Sequence, residues 1–151
     1  EPGDVAGDAR GRVVTGLAGG EIVRIDGQRA ERITSTGGRP LGIEVHPDGS
    51  LIVCDSDRGL LRVAADTGSV TTLVDSVAGR RMLLTNNCAI AQDGAVYFTD
   101  SSERFTLAEF KADLLAHTSS GRLMRWSPTG SVEVLITGLD FANGVALAPA
   151  D

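Results

Sequence analysis

The sequence predicts an all-β chain built as propeller blades, and three observations carry that prediction. Nineteen glycines punctuate 151 residues; short β-branched apolar runs lie between them; and one four-strand pattern recurs about every 40 residues. "DVAGDARGRVVTG", "GIEVHPDGSLIVCD" and "CAIAQDGAVYFTD" each read as an apolar strand, a polar turn closing on glycine, and a second apolar strand. Gly11, Gly49 and Gly94 are the turn glycines. Their spacing fixes the phase of the repeat.

A third strand follows each pair, "EIVRI" at 21–25, "LLRV" at 60–63 and "RLMRW" at 122–126, which puts Arg24, Arg62 and Arg125 in equivalent positions. The fourth strands are "ERITS", "SVTTLV" and "SVEVLI". "TGS" at 67–69 and 129–131 supplies the turn before the last strand in the second and third units. The predicted domain is thus a partial β-propeller over 1–151: blade 1 at about 3–36, blade 2 at about 41–79, blade 3 at about 86–138, and the first strand of a fourth at about 143–151. Three blades fall short of the roughly four to eight that close a propeller ring.

Blade 3 is stretched by "SSERFTLAEFKADLLAHTSS", whose pattern is helical. Thr106 and Glu109 have capping-box spacing, and Phe105 and Phe110 are placed for a hydrophobic staple. Leu107, Phe110 and Leu114 share one helical face. The insertion is expected at about 106–117, as a packed surface excursion or as a lid over a pocket.

Composition narrows the function. Hydrophobic residues make up 42% of the chain, enough for an ordinary core, and no apolar run reaches the roughly 18–20 residues of a membrane span. "EPGDVAGDARG" lacks the basic and apolar regions of a signal peptide and does not start with Met, so processing or a fragment is expected. Localisation stays open. The net charge of −6, with basic residues scattered singly, disfavours a nucleic-acid partner. Cys54 and Cys88 lie in unrelated apolar contexts and read as buried free thiols, the alternative being a disulfide that spacing cannot decide.

In a propeller the first strand of each blade is innermost, so the residues that open it converge on the central channel. Counting back eight from each turn glycine gives Gly3, Leu41 and Asn86. In the fourth unit Pro149 matches Pro47, Asp151 takes the glycine position, and the same count gives Asn143. Asn87 adjoins Asn86 on the channel. Asparagine is depleted in strands, yet its amide oxygen is a good Ca²⁺ ligand. "NN" and "NG" are also ordinary turn signals. Recurrence at one phase of the repeat favours a shared channel site holding Asn86 and Asn143.

"GGRPLGIEV", "LIVCDSDRGLLRV", "AVYFTDSS", "GRLMRWSPTG" and "LDFANGVAL" together resemble the strictosidine synthase-like proteins, in the branch of the adipocyte plasma membrane-associated protein. That branch sits within the six-bladed gluconolactonase, senescence marker protein and paraoxonase group. The resemblance implies a channel calcium held by a Glu of the first blade, asparagines opening later inner strands, and a later Asp. Asn86 and Asn143 match two of those asparagines. The first-blade Glu falls on Gly3, so Glu1 or Asp4 would have to substitute. The later Asp, and the synthase's catalytic Glu, match nothing in this chain; the channel histidine of paraoxonase falls on Leu41. His46 and His117 read as solvated loop residues. No complete catalytic set is present, and catalytic residues stay unassigned.

Asp55 and Asp100 end second strands and read first as turn acids, second as channel ligands. Arg39-Pro40 could shape a pocket, and Trp126 is expected to pack. The leading functional expectation is a calcium-dependent ester or lactone hydrolase of the lactonase or arylesterase kind, inactive as this chain alone. The alternatives are a Pictet-Spengler-type synthase needing no metal, and a noncatalytic half-propeller that associates with a second copy or with the remainder of a propeller.

Overall fold

In the computed structural model, residues 2–148 are described. The expected start of metal-site substitution at Glu1, and the turn expected at Pro149 to Asp151, lie outside the described residues. Three four-stranded antiparallel sheets follow the repeat. Strands β1 (Pro2–Gly7), β2 (Val13–Leu17), β3 (Glu21–Asp26) and β4 (Arg29–Ser35) form the first in sequence order. Strands β5 (Pro40–Val45), β6 (Leu51–Asp55), β7 (Gly59–Val63) and β8 (Val70–Val74) form the second. After a small ribbon of β9 (Ser76–Val77) and β10 (Arg80–Arg81), the third is β11 (Thr85–Ile90), β12 (Val96–Asp100), β13 (Gly121–Trp126) and β14 (Val132–Leu139).

The turn glycines explain why the first hairpins share one shape. Gly11, Gly49 and Gly94 have φ of 75°, 86° and 80°, left-handed values that cost an L side chain. Each donates its N–H three residues back, to Asp8, His46 and Ala91 at 2.9, 2.8 and 2.9 Å. The β9–β10 ribbon was not legible in the sequence, because its turn places a non-glycine, Ala78, at φ 51° beside Gly79 at 77°.

Blade 2 is buried on both faces, so every residue of β6 is buried. Leu51 and Val53 join Val14, Ile22, Ile43, Leu61 and Val63 between blades 1 and 2. Ile52 and Cys54 face the other way, into Leu60, Met82, Cys88, Phe98, Met124 and Trp126 between blades 2 and 3. Strand alternation therefore supplies two cores from one strand. Trp126 packs as expected. Cys54 and Cys88 are both free and buried, but their contexts are not unrelated: the blade interface brings them into one cluster.

Two further expectations need correction. Residues 143–148 form no strand: an inner strand is held by hydrogen bonds to the second strand of its own blade, and among the described residues no strand pairs with this segment. The insertion folds as a 3₁₀ turn (Leu107–Glu109) leading into helix α1 (Phe110–Ala116), and only part of its expected apolar face is covered, Leu107 and Phe110 being half-buried. Leu114 is exposed, and the one buried residue of α1 is Asp113. Phe110 pairs with Phe141, ring centroids 6.2 Å apart. Of the capping box, Glu109 Oε2 accepts from the Thr106 N–H at 3.3 Å and from its hydroxyl at 3.0 Å.

Candidate functional site

The three inner strands share an irregularity that makes the site. Register shifts fall between Pro2 and Val5 in β1, Pro40 and Gly42 in β5, and Thr85 and Cys88 in β11. The residues inside these bulges are Gly3 and Asp4, Leu41, and Asn86 and Asn87. A bulge leaves its extra residue out of the ladder and re-aims its side chain. The positions found by counting from the turn glycines are therefore the bulged ones.

Close approach of the inner strands demands small residues. A Cβ on Gly3 would lie 2.7 Å from the Leu41 carbonyl oxygen and 3.0 Å from that of Pro40. One on Gly42 would lie 2.6 Å from the Asn86 carbonyl oxygen and 2.7 Å from Asn87 Cα. Gly3, Leu41 and Asn86–Asn87 thus stand side by side across three blades. With no side chain at Gly42, Asn87 Nδ2 reaches across blade 2 and donates to Asp4 Oδ2 at 3.1 Å. Asp4 Oδ1 accepts the N–H of Val5 at 2.8 Å.

Hydroxyls at the end of β12 tie in the asparagine pair and the segment after β14. Asn86 Nδ2 donates to Ser101 Oγ at 2.8 Å, and Ser101 Oγ donates to the Ala142 carbonyl at 2.5 Å. Alongside, the Asn87 N–H donates to Thr99 Oγ1 at 3.2 Å, which donates to the Asn143 carbonyl at 2.6 Å. Asn86 is therefore two hydrogen-bonded steps from Ala142, and Asn87 two from Asn143. The Asn143 residue is exposed, and Asn86 Oδ1 accepts no hydrogen bond among the described residues.

Glu44, which sequence reasoning missed, lies near Asp4. Burial pushes its carboxyl above the ordinary value, and the Asp4 charge pushes it further. Thr99 and Ser101 carry no signal of this role in the sequence, since hydroxyls at the end of a strand read as ordinary turn chemistry. Asp55 and Asp100 are fully buried turn acids. Asp55 Oδ1 accepts the N–H groups of Arg39, Asp57 and Arg58 at 3.0, 3.0 and 3.1 Å. Asp100 Oδ1 accepts that of Leu84 at 3.1 Å. Each pins the backbone just before an inner strand. Pro40 is packed on Gly16, where a Cβ would meet its ring at 2.7 Å. His117 caps α1 in the left-handed region, exposed, while His46 is half-buried beside Asp48 in the blade 2 turn.

The wall offers oxygen donors of the kind calcium takes, with amides outnumbering free carboxylates. No group of three or more His, Cys, Asp or Glu able to hold a metal forms among the described residues. Gly3 has neither a carboxylate nor room for one, and Asp4 is engaged by Asn87.

Three four-stranded blades standing side by side, inner strand against inner strand, define a β-propeller protein. The comparisons agree. The chain superposes on a gluconolactonase from Xanthomonas campestris with a TM-score of 0.71 at 22% identity, covering 90% of this chain and 47% of that one. It also superposes on virginiamycin B lyase from Staphylococcus aureus with a TM-score of 0.62 at 12% identity, covering 88% and 40%. At such identities the likeness is one of fold. Residues 86–151 match the strictosidine synthase family, and residues 1–25 match the strictosidine synthase-like N-terminal family. The adipocyte plasma membrane-associated protein of Salmo salar is 39% identical over 91% of this chain and 38% of its own length. STRICTOSIDINE SYNTHASE-LIKE 6 of Arabidopsis thaliana is 36% identical over 98% and 42%. The chain belongs to the strictosidine synthase-like family of β-propellers. It spans about two-fifths of the length of these two relatives. No helix of the described residues is long and apolar enough to cross a membrane.

Proposed function

We propose that this chain contributes one half of the channel wall of an ester or lactone hydrolase that works with calcium. The observation that carries the reading is the anchored amide of Asn86. Ser101 fixes its Nδ2, which leaves Oδ1 as the free end of an oriented carbonyl dipole on the inner strand. Asn143, held through its own carbonyl by Thr99, is the second amide. Asp4 and Glu44 add negative charge to the same wall.

Calcium bound there would supply a Lewis acid that polarises an ester or lactone carbonyl. The residues fit its preference for oxygen, and their low count of free carboxylates makes the site a weak one, roughly 10⁻⁴ to 10⁻³ M in dissociation constant. The chain's own contribution is positional. Ser101 and Thr99 hold the asparagines, Asp4 orients Asn87, and Gly42 leaves the gap through which they meet. Groups that move protons would come from blades beyond this chain, as half of a six-bladed ring supplies half of a channel.

Calorimetric titration of calcium into the chain, with Asn86→Ala and Asn143→Ala beside it, tests the site. Saturable binding weakened about tenfold by either change is expected, and hydrolysis of phenyl acetate or a γ-lactone by a complete propeller should stop on chelation. Binding untouched by both changes would remove the proposal. The match to the strictosidine synthase family favours a second reading, condensation of an amine with an aldehyde. That activity would survive chelation.

A further inference from the structure

On the face of the blades opposite the bulged residues, where the first hairpins turn, the repeat breaks in charge. The third-strand arginines lie opposite equivalent second-strand residues: Arg24 opposite Val14, Arg62 opposite Ile52, Arg125 opposite Tyr97. In blade 2 Arg62 forms an ion pair with Asp48, the residue just before the turn glycine, and its Nε donates to Ser50 Oγ at 3.0 Å. In blade 3 Arg125 pairs likewise with Asp93 at 3.3 Å. The equivalent residue of blade 1 is Arg10. A cation stands where the other two blades place the acid that neutralises this arginine.

Arg24 is consequently without a carboxylate partner among the described residues. One NH2 group reaches across the blade interface and donates to the Ala65 carbonyl at 2.9 Å. Its Nε is buried and has no acceptor. An unsatisfied buried donor of a charged group is costly and calls for an explanation, and an acceptor from outside the chain supplies one. Arg24 and Arg10 line a cleft of ≈ 850 Å³ between the hairpins of blades 1 and 2. Arg12 and Arg62 line it too, but each is matched, Arg12 by Asp8 at 2.7 Å and Arg62 by Asp48. Asp66 is the remaining acid, and its Oδ1 accepts the Thr67 N–H at 2.8 Å. The cleft is a basic concavity in a chain of net charge −6.

We propose that this cleft binds a small oxyanion, a phosphoryl or carboxylate group, through Arg10 and Arg24. Guanidinium groups present forked donors that match both kinds of group, and the low-dielectric walls of a cleft strengthen the attraction over that at an open surface. The site is separate from the channel wall. Its ligand chemistry, anionic, is the opposite of the cation expected there.

The test is calorimetric titration of inorganic phosphate, and separately of succinate, into the full chain at neutral pH, with chloride holding ionic strength constant. Saturable one-to-one binding of at least one of them is expected, and which one binds assigns the group. Arg10→Asp restores the acid of blades 2 and 3 at an exposed turn position, so it leaves the fold intact by circular dichroism. It should weaken binding at least tenfold. Arg24→Gln, which keeps a donor for Ala65, should weaken it as much. Absence of saturable binding by either anion, or binding unchanged in Arg10→Asp, would overturn the proposal.

Discussion

Asn87 and Asp4, 83 residues apart in sequence, are joined by a hydrogen bond of 3.1 Å that passes over Gly42 and links the innermost strands of the first and third blades. The link exists only because blade 2 contributes no side chain at that point. Gly42→Ala would set a Cβ against the backbone of Asn86 and Asn87, which cannot rotate away. The expected cost is about 1–3 kcal/mol, read as a fall in melting temperature of about 2–4 °C per kcal/mol in a chain of this size. A double-mutant cycle of Asp4→Ala and Asn87→Ala should give a coupling of about 0.5–1.5 kcal/mol. That coupling should vanish in the Gly42→Ala background; if it persists, the glycine is not what lets the two residues meet.

The repeat was legible because propeller blades write the same turn again and again, and a positive φ beside a polar turn leaves a glycine in the sequence each time. From Gly11, Gly49 and Gly94 the positions Gly3, Leu41 and Asn86 followed by counting. What counting could not reach was what those residues touch. Gly42, Thr99 and Ser101 act through contacts between blades, and no local pattern encodes a neighbour 40 residues away. The same limit applied to Asp113 in the insertion, where spacing pointed to leucines. Helical periodicity finds faces; it does not say which face meets protein.

Glu44 makes a prediction about pH. Burial first, and the charge of Asp4 second, raise its carboxyl above the ordinary value of 4.5. A raised value in the folded state means that the folded chain binds this proton more tightly than the unfolded chain. Its contribution to stability is therefore fully present below the ordinary value and is lost as pH rises through the folded one. Urea denaturation across that window should show stability of the Glu44→Gln variant gaining on the parent as pH rises. Asp4→Asn should move the Glu44 titration, followed by carboxyl carbon NMR, back toward its ordinary range. Added calcium should lower it too if the channel wall binds the ion. An identical pH profile in Glu44→Gln would show that the carboxyl is not perturbed.

Asp113 anchors the helical insertion from inside. It accepts from Ser102 Oγ at 2.8 Å and from Thr118 Oγ1 at 2.5 Å, residues that flank the helix on either side. Ser102 Oγ in turn accepts the N–H groups of Arg104 and Phe105 at 3.2 and 3.1 Å. Asp113→Ala strands these hydroxyls and should loosen residues 102–120 locally, by roughly 1–3 kcal/mol. Hydrogen exchange should accelerate there while the strands of blade 2 keep their protection. Uniform acceleration across all three blades would mean instead that the helix is part of the global fold.

Asp100 and Arg122 form the buried ion pair of blade 3, at 2.6 Å, with Arg122 Nη1 also on Glu103 at 2.9 Å. In blade 2 the equivalent acid, Asp55, lies opposite Gly59 and pairs with no cation among the described residues. Burial raises the Asp100 carboxyl, and the Arg122 guanidinium works against that rise. Removing the cation alone, as Arg122→Met, leaves a desolvated carboxylate and should cost about 3–5 kcal/mol in urea denaturation at neutral pH. Asp100→Asn should cost less, since its amide oxygen still accepts from Leu84 and Arg122 keeps Glu103. The double variant should then be more stable than Arg122→Met. With the cation gone, Asp100 holds its proton more strongly in the folded state, so the penalty of Arg122→Met should shrink as pH falls. Strictly additive losses, independent of pH, would show that the two groups are not energetically coupled.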